Sequence, residues 1–162
     1  GRNHRFVFAT KNIENLKGIP EEDWQYGENA SWLYYLFPNV QLGGGGHDAN
    51  LIKIYPDPKN PGRSITKVNH YFSQEFIDYV SQVPDDGKSA YDKDRNPSLD
   101  GVVEVFDTTI EQEDYLMGET TQKSAETGIV KEFIFGRNEP ALHHYHNTFR
   151  EALNLPPLEK VG

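Results

Sequence analysis

The chain has 162 residues, enough for a single domain with a sizeable hydrophobic core. Its formal net charge is −9 and its 16 Lys and Arg residues are scattered, so it lacks the basic patch that nucleic acids or anionic membranes require. It contains no cysteine, so its own residues can form neither a disulfide nor a thiolate-ligated iron–sulfur cluster.

Membrane segments and targeting signals are also missing from the sequence pattern. No apolar run approaches the roughly 18 residues that span a bilayer. The amino-terminal residues G-R-N-H-R-F-V-F lack the long apolar region of a secretory signal. We therefore expect no membrane partner and a cytoplasmic location.

Three strands are predicted in the first half of the chain. Residues 1–30 are rich in polar residues, glycine and proline, which predicts a loop with a short helical turn. The aromatic and aliphatic run at residues 31–37 predicts a buried strand, and residues 50–55 and 64–73 have strand character as well. Turn residues separate these segments, so the pattern predicts an antiparallel meander.

Four consecutive glycines at positions 43–46 allow two interpretations. Glycine-rich backbone can cradle a phosphate group, but no G-K-[ST] motif follows and no helical pattern begins there. We favour a hairpin turn or bulge between two strands. His47, beside the glycines, is then a turn residue on the surface rather than a ligand.

The next segments are less regular. Residues 75–83 fit either a short amphipathic helix or an irregular strand, and the sequence leaves both open. Residues 84–100 carry many charges and two prolines, which predicts an exposed loop.

A helix is predicted near residues 106–126, with a glycine following its carboxyl end. Five of its residues recur at intervals of three or four and share one face: Phe106, Ile110, Asp114, Met117 and Thr121. Asp114 is the only charge on that face, so its carboxylate loses solvation unless a hydrogen bond, a cation or a metal compensates. In the alternative interpretation the helix starts two or three residues later, and its acidic first turn simply complements the helix dipole from solvent.

A second helix is predicted over residues 138–154, with Asn138 as N-cap and Pro140 just inside it. His143 and His146 are three positions apart, a spacing that suits one metal ion. The helical phase, however, places His146 at the edge of the packed stripe and His143 toward water. This phase favours a structural role for both.

Three stretches of the sequence are distinctive. They are Y-L-F-P-N-V-Q-L, then E-D-Y-L-M-G-E-T-T-Q followed by S-A-E-T-G, and finally G-R-N-E-P-A-L-H-H-Y-H-N-T-F-R-E-A-L. Together, and in this order, they resemble the carboxyl-terminal part of the catalytic domain of Rieske-type ring-hydroxylating oxygenase α subunits. The first stretch is similar to the segment just after that family's two iron-binding histidines.

The resemblance implies a mononuclear Fe(II) held by two histidines and one carboxylate, and Asp114 matches the carboxylate. Phe106, Ile110 and Met117, on the face of Asp114, are candidate residues of the substrate pocket. The chain has no pair of histidines five positions apart, and without cysteine the [2Fe–2S] Rieske cluster must lie outside it. We therefore interpret the chain as the carboxyl-terminal part of a catalytic domain and expect it, on its own, to bind no iron and to be inactive.

The resemblance also implies a fold, a substrate class and an assembly. The fold is α+β, an antiparallel sheet packed by a long carboxyl-terminal helix (helix-grip, START/Bet v 1-like), in a single domain over residues 1–162. The substrate is an aromatic or other apolar small molecule, hydroxylated with O2, and the family tends to form trimers. The alternative is a non-catalytic helix-grip module that binds a hydrophobic small molecule.

Overall fold

The computed structural model describes residues 1–24 and 27–160, and the chain forms two compact units. The first unit comprises residues 1–71 and 133–162, and the second comprises residues 72–132. Strands and helices are both present, so the predicted α+β class is confirmed. Within the described residues, no helix is both long and apolar enough to cross a membrane.

The largest element of the first unit is a five-stranded sheet. Its strands are β1 (His4–Ala9), β2 (Ala30–Leu36), β3 (Val40–Gly45), β4 (Asp48–Asp57) and β5 (Asn60–Phe72), and their order in the sheet follows the chain. The first four strands pair antiparallel, and a two-residue turn joins β4 to β5. The predicted antiparallel meander is confirmed, because the three predicted strands correspond to β2, β4 and β5.

β1 is an edge strand where the sequence predicted a loop. His4 and Phe6 are half-buried on one face, whereas Arg5 and Val7 are exposed on the other. Every residue of β1 is paired with a residue of β2, from His4 opposite Tyr35 to Ala9 opposite Ala30. The loop prediction is therefore wrong for this segment, because the partner strand rather than local propensity decides its conformation. The predicted helical turn does occur, as a 3₁₀ helix at Lys11–Leu16.

Three of the four consecutive glycines lie within β3, and the hairpin turn begins only at Gly46, which has a φ of +60°. The neighbouring strands explain the composition of β3. A Cβ on Gly44 would lie 2.7 Å from the Asp48 carbonyl oxygen and 2.9 Å from a ring carbon of Trp32. The hairpin prediction is thus right at positions 46 and 47. The strand β3 was not predicted, because its glycines, which make room for side chains of adjacent strands, lack the apolar side chains by which a strand is recognised.

The second unit begins with helix α1 (Gln74–Val80), which settles the choice between helix and strand that the sequence left open. Ser73 caps α1, because its hydroxyl accepts a hydrogen bond from the Phe76 N–H at 3.2 Å. After an irregular segment, helix α2 (Leu99–Thr109) passes into a π-helical turn (Ile110–Tyr115) and then into α3 (Leu116–Glu126).

The predicted helix at residues 106–126 is therefore the second half of a longer element. Its start is seven residues earlier than predicted, because the Ser98 hydroxyl accepts a hydrogen bond from the Gly101 N–H at 3.0 Å and caps α2. Its end agrees with the prediction, since Gly128 follows with a φ of +67°.

Helix α4 (Pro140–Ala152) returns to the first unit and packs against β2 and the residues that follow it. The rings of Tyr145 and Tyr35 are 4.9 Å apart between centroids, and those of Phe149 and Phe37 are 5.0 Å apart. Tyr35 is buried and its hydroxyl donates a hydrogen bond to the Pro38 carbonyl. The predicted helix is confirmed, although Glu139 rather than Asn138 takes the N-cap position and makes no side-chain capping bond.

Candidate functional site

A cavity of about 650 Å³ lies in the second unit, between the irregular segment before α2 and the helix face that carries Asp114. Most of its wall is apolar and comes from α2 and the π-helical turn: Val102, Val105, Phe106 and Ile110. Three charged side chains also line it: Asp92, Arg95 and Asp114. Such a concave, mainly apolar space with a few charged groups is typical of small-molecule sites.

Asp114 lies in the π-helical turn and is exposed to solvent. The sequence pattern predicted an inward-facing carboxylate that loses solvation, and this prediction is wrong. The helix face that Asp114 shares with Phe106 and Ile110 lines an open cavity instead of a closed core, so water can solvate the carboxylate. An exposed carboxylate beside a cavity is free to meet a cation or a ligand.

Met117 does not line this cavity and is 64% exposed. In an uninterrupted α-helix it would share the face of Phe106. The π-helical turn adds one residue to a turn, so every later side chain is displaced by about 100° around the axis. The structure therefore brings together Phe106, Ile110 and Asp114 and leaves Met117 apart from them.

Hydrogen bonds between side chains and backbone order the segment before α2, which the sequence predicted as an exposed loop. The Asp86 carboxylate accepts a bond from the Asn96 N–H at 2.9 Å, and the Asn96 side chain donates to the Pro84 carbonyl at 2.9 Å. The Asn96 N–H, together with nearby Lys88, holds the pKa of the Asp86 carboxyl below its usual range. These contacts fix the backbone next to Arg95.

Arg95 is half-buried at the amino-terminal end of α2, and the sequence did not single it out. Its Nη2 donates a hydrogen bond to the Ser98 hydroxyl at 2.9 Å. Gly101 is buried beneath it, and a Cβ at that position would lie 2.7 Å from Nη1 and 2.9 Å from Cζ. A glycine in the first turn of α2 thus allows the guanidinium to lie against the helix.

The histidines of α4 lie in the first unit and pack against rings. His146 stacks on Phe135 at 4.6 Å, and burial, then the charge of Arg150, lowers its pKa. His144 meets His4 edge-to-face at 5.4 Å. His143 lines a second cavity of about 570 Å³ with residues 133–135, Arg137, Asn147 and residues 158–160. The Phe135 ring is a neighbour of both His143 and His146, at 6.4 Å and 4.6 Å between ring centroids.

β4 carries a polar cluster that the sequence did not reveal. Burial raises the pKa of the Asp48 carboxyl, although its own backbone N–H and the nearby His70 and His47 act in the opposite direction. Asn50, two residues along the same face, is 7% exposed. Both lie opposite glycines of β3, Asp48 opposite Gly45 and Asn50 opposite Gly43. Nothing in the alternation of β4 distinguishes these polar residues from outward-facing ones.

The described residues do not fit a complete mononuclear iron site. Among residues 1–24 and 27–160, no group of three or more His, Asp, Glu or Cys side chains is placed to hold a metal ion. All six histidines of the sequence lie in the first unit, whereas Asp114 lies in the second. One carboxylate alone does not meet the two-histidine, one-carboxylate requirement.

The chain is an α+β protein with an antiparallel sheet, a packed carboxyl-terminal helix and a mainly apolar cavity that is also lined by the Asp114 carboxylate. The family model described as the ring hydroxylating alpha subunit (catalytic domain) matches residues 7–155. The chain therefore belongs to the family of ring-hydroxylating α-subunit catalytic domains. Searches of curated proteins and of solved structures found no match.

Proposed function

We propose that this chain provides the carboxylate ligand and the substrate cavity of a Rieske-type oxygenase that hydroxylates an aromatic or other apolar small molecule. The observation that carries the proposal is the position of Asp114, which lines the same cavity as Phe106 and Ile110. The family match over residues 7–155 supports it. In this proposal Phe106 and Ile110 contact the apolar substrate, and Met117 has no part in binding it.

The chemistry that Fe(II) supplies when bound in this family is the activation of O2. In the proposal Asp114 is the anionic ligand, while two histidines and the [2Fe–2S] cluster come from outside this sequence. The exposed position of Asp114 is consistent with such a role, because its carboxylate is not held by a cation in the described part of the chain.

Three further features are proposed from family membership. They are the helix-grip architecture, a trimeric assembly and a cytoplasmic location. The packing of α4 on β2 is compatible with the first of these.

The coding DNA upstream of these residues provides the first test. The proposal expects an in-frame C-x-H…C-x-x-H segment followed by a pair of histidines. A stop codon and a promoter directly upstream would contradict it.

Iron analysis of the longer product provides the second test. Asp114→Asn should remove most of the mononuclear iron, because an amide is a poorer ligand than a carboxylate. Asp92→Asn is the matched control, since Asp92 is also exposed and lines the same cavity. Equal iron contents in the two variants would refute the role of Asp114.

A second candidate function is a non-catalytic module that binds a hydrophobic small molecule. It is favoured by the mainly apolar cavity and by the lack of a metal-binding group among the described residues. The 162-residue chain is dialysed against Fe(II) and then titrated with an apolar probe. Tight probe binding without iron by a free-standing gene product supports the module. About one retained iron per chain contradicts both candidates, because the proposed function takes two histidine ligands from outside this sequence.

A further inference from the structure

Arg95 is a charged residue without a counter-ion among residues 1–24 and 27–160. Its side chain is half-buried, lines the cavity and donates to the neutral hydroxyl of Ser98. None of the ion pairs in the described part of the chain involves Arg95. A partly desolvated guanidinium without an anion is unfavourable, and its planar fork has further N–H donors that suit a carboxylate.

Arg95 and Asp114 lie at different positions along the helix that lines the cavity. Arg95 lies against Gly101 in the first turn of α2, and Asp114 lies in the π-helical turn. The helix between these two positions is about 20 Å long at 1.5 Å per residue. Arg95 is the one basic side chain in the described lining of the cavity, so its end is the part that can pair with an anionic group.

The wall between the two ends is apolar. Val102, Val105 and Phe106 line it on successive turns of α2. Asp92 also lines the cavity near Arg95, but it is exposed and its charge is screened by water and salt.

We propose that the cavity selects an amphipathic small molecule with an apolar, ring-containing body and a carboxylate head. The carboxylate pairs with Arg95, and the body lies along Val102 and Phe106 with its far end toward Asp114. This inference rests on the proposed function, because it names the substrate class of the same cavity. Arg95 is the residue that determines specificity for the anionic head.

The test compares two probes of equal shape, 2-naphthoate and the neutral 2-naphthalenemethanol, titrated by fluorescence into the 162-residue chain. The wild-type chain should bind 2-naphthoate at least tenfold more tightly, as expected for a charge-assisted hydrogen bond. Arg95→Gln should remove this preference and change the affinity for 2-naphthalenemethanol by less than about twofold. Lys93→Gln, which removes an exposed positive charge two residues away, should leave both affinities unchanged.

A second variant keeps the positive charge of Arg95 but changes its position. Gly101→Ala places a Cβ where the guanidinium now lies, so Arg95 must shift and 2-naphthoate should bind more weakly. Equal affinity of the wild-type chain for both probes, or 2-naphthoate binding that Arg95→Gln does not change, would overturn the inference. The first comparison needs no variant and stays decisive if Arg95→Gln fails to fold.

The same titrations separate this inference from the proposed function. Binding of 2-naphthalenemethanol that is lost in Phe106→Ala, without preference for 2-naphthoate, refutes only the carboxylate specificity. Failure of the wild-type chain to bind either probe refutes the cavity as a substrate site, and with it both proposals.

Discussion

At the scale of single residues, the solvent exposure of Asp114 determines how much its charge contributes to the stability of the chain. A carboxylate in an apolar core would be destabilising, and its replacement by Asn would then increase stability. Asp114 is exposed, so the charge carries no large desolvation cost and the free energy of unfolding should not depend on it. Any strong effect of this residue is expected in ligand or metal binding rather than in folding.

Asp114→Asn should change the free energy of unfolding of the 162-residue chain by no more than about 0.5 kcal/mol, as for most surface substitutions. Thermal unfolding at neutral pH followed by circular dichroism measures this, with Asp92→Asn as the control in the same cavity. A melting temperature lower by many degrees for Asp114→Asn alone would mean that a cation or a hydrogen-bond network holds this carboxylate.

Asp86 is a second residue whose role is local. Its carboxylate accepts the Asn96 N–H at 2.9 Å and lies 3.5 Å from the Lys88 ammonium. Asp86→Ala should therefore speed hydrogen exchange at the Asn96 amide and weaken 2-naphthoate binding, because the backbone beside Arg95 loses its support. Asp85→Ala is the control, since its carboxylate accepts only from the Gly87 N–H among the hydrogen bonds described. Unchanged exchange at Asn96 would show that other contacts order this segment.

At the scale of elements, the π-helical turn determines which side chains reach the cavity. Ile110 lines the cavity wall and Met117 does not, although both belong to the apolar stripe of the sequence. Periodicity assumes 3.6 residues in every turn, so it cannot reveal an added residue. The π-helical turn also contains Asp114, and such turns occur frequently at functional sites.

Ile110→Ala should weaken binding of 2-naphthalenemethanol several-fold, because it removes apolar surface from the cavity wall. Met117→Ala removes a side chain of similar size from the same helix and should change the affinity by less than about twofold. Equal losses in the two variants would mean that Met117 reaches the ligand and that the π-helical turn does not separate the two faces.

The predictable and unpredictable elements differ in what stabilises them. β2 was recognised as a continuous aromatic and aliphatic run, and α4 was recognised because its apolar residues recur at the helix period. β1 and β3 were not, since β1 depends on pairing with β2 and β3 consists partly of glycines that accommodate neighbouring side chains. For the site, the sequence indicated Phe106, Ile110 and Asp114. It did not indicate Arg95, because the position of Arg95 depends on the hydrogen bond between the Asn96 N–H and Asp86, which no local pattern reveals.

Two glycines test this account of β3. Gly44→Ala should destabilise the chain by about 1–3 kcal/mol, because its Cβ would overlap the Asp48 carbonyl oxygen. Gly118→Ala should stabilise it by about 0.5–1 kcal/mol, since Gly118 lies within α3 and a Cβ there meets no atom within 4 Å. Urea unfolding measures both, and a stabilising Gly44→Ala would contradict the packing described for β3.

At the scale of the whole molecule, the family match extends across both compact units, so neither unit alone corresponds to the family's catalytic domain. The first unit holds all the histidines and the second holds Asp114.

Two effects of pH on stability act on the chain at once. Acidification reduces the net charge of −9 and its self-repulsion, but it also protonates histidines that the folded first unit disfavours in their charged form.

His4 provides the clearest case of the second effect. It stacks on Tyr35 at 4.9 Å, and its Nδ1 is buried without a hydrogen-bond partner in the described part of the chain. Burial, then the charge of His144, lowers the pKa of His4 from its ordinary value of 6.5. The unfolded chain thus binds a proton more readily than the folded chain, so the contribution of His4 to stability is complete above pH 6.5 and is lost as the pH falls through the lower folded-state pKa.

Lowering the pH from about 7.5 to about 5 should consequently reduce the melting temperature less in His4→Phe than in the wild-type chain. Phenylalanine retains the stacking on Tyr35, carries no titrating nitrogen and leaves no buried acceptor unsatisfied. His47→Phe is the control for loss of a histidine from the turn between β3 and β4. The change in net charge on acidification affects His4→Phe and His47→Phe alike, so the difference between their melting temperatures measures the contribution of His4. Parallel melting profiles for the wild-type chain and His4→Phe would refute a role for His4 in the pH dependence of the first unit.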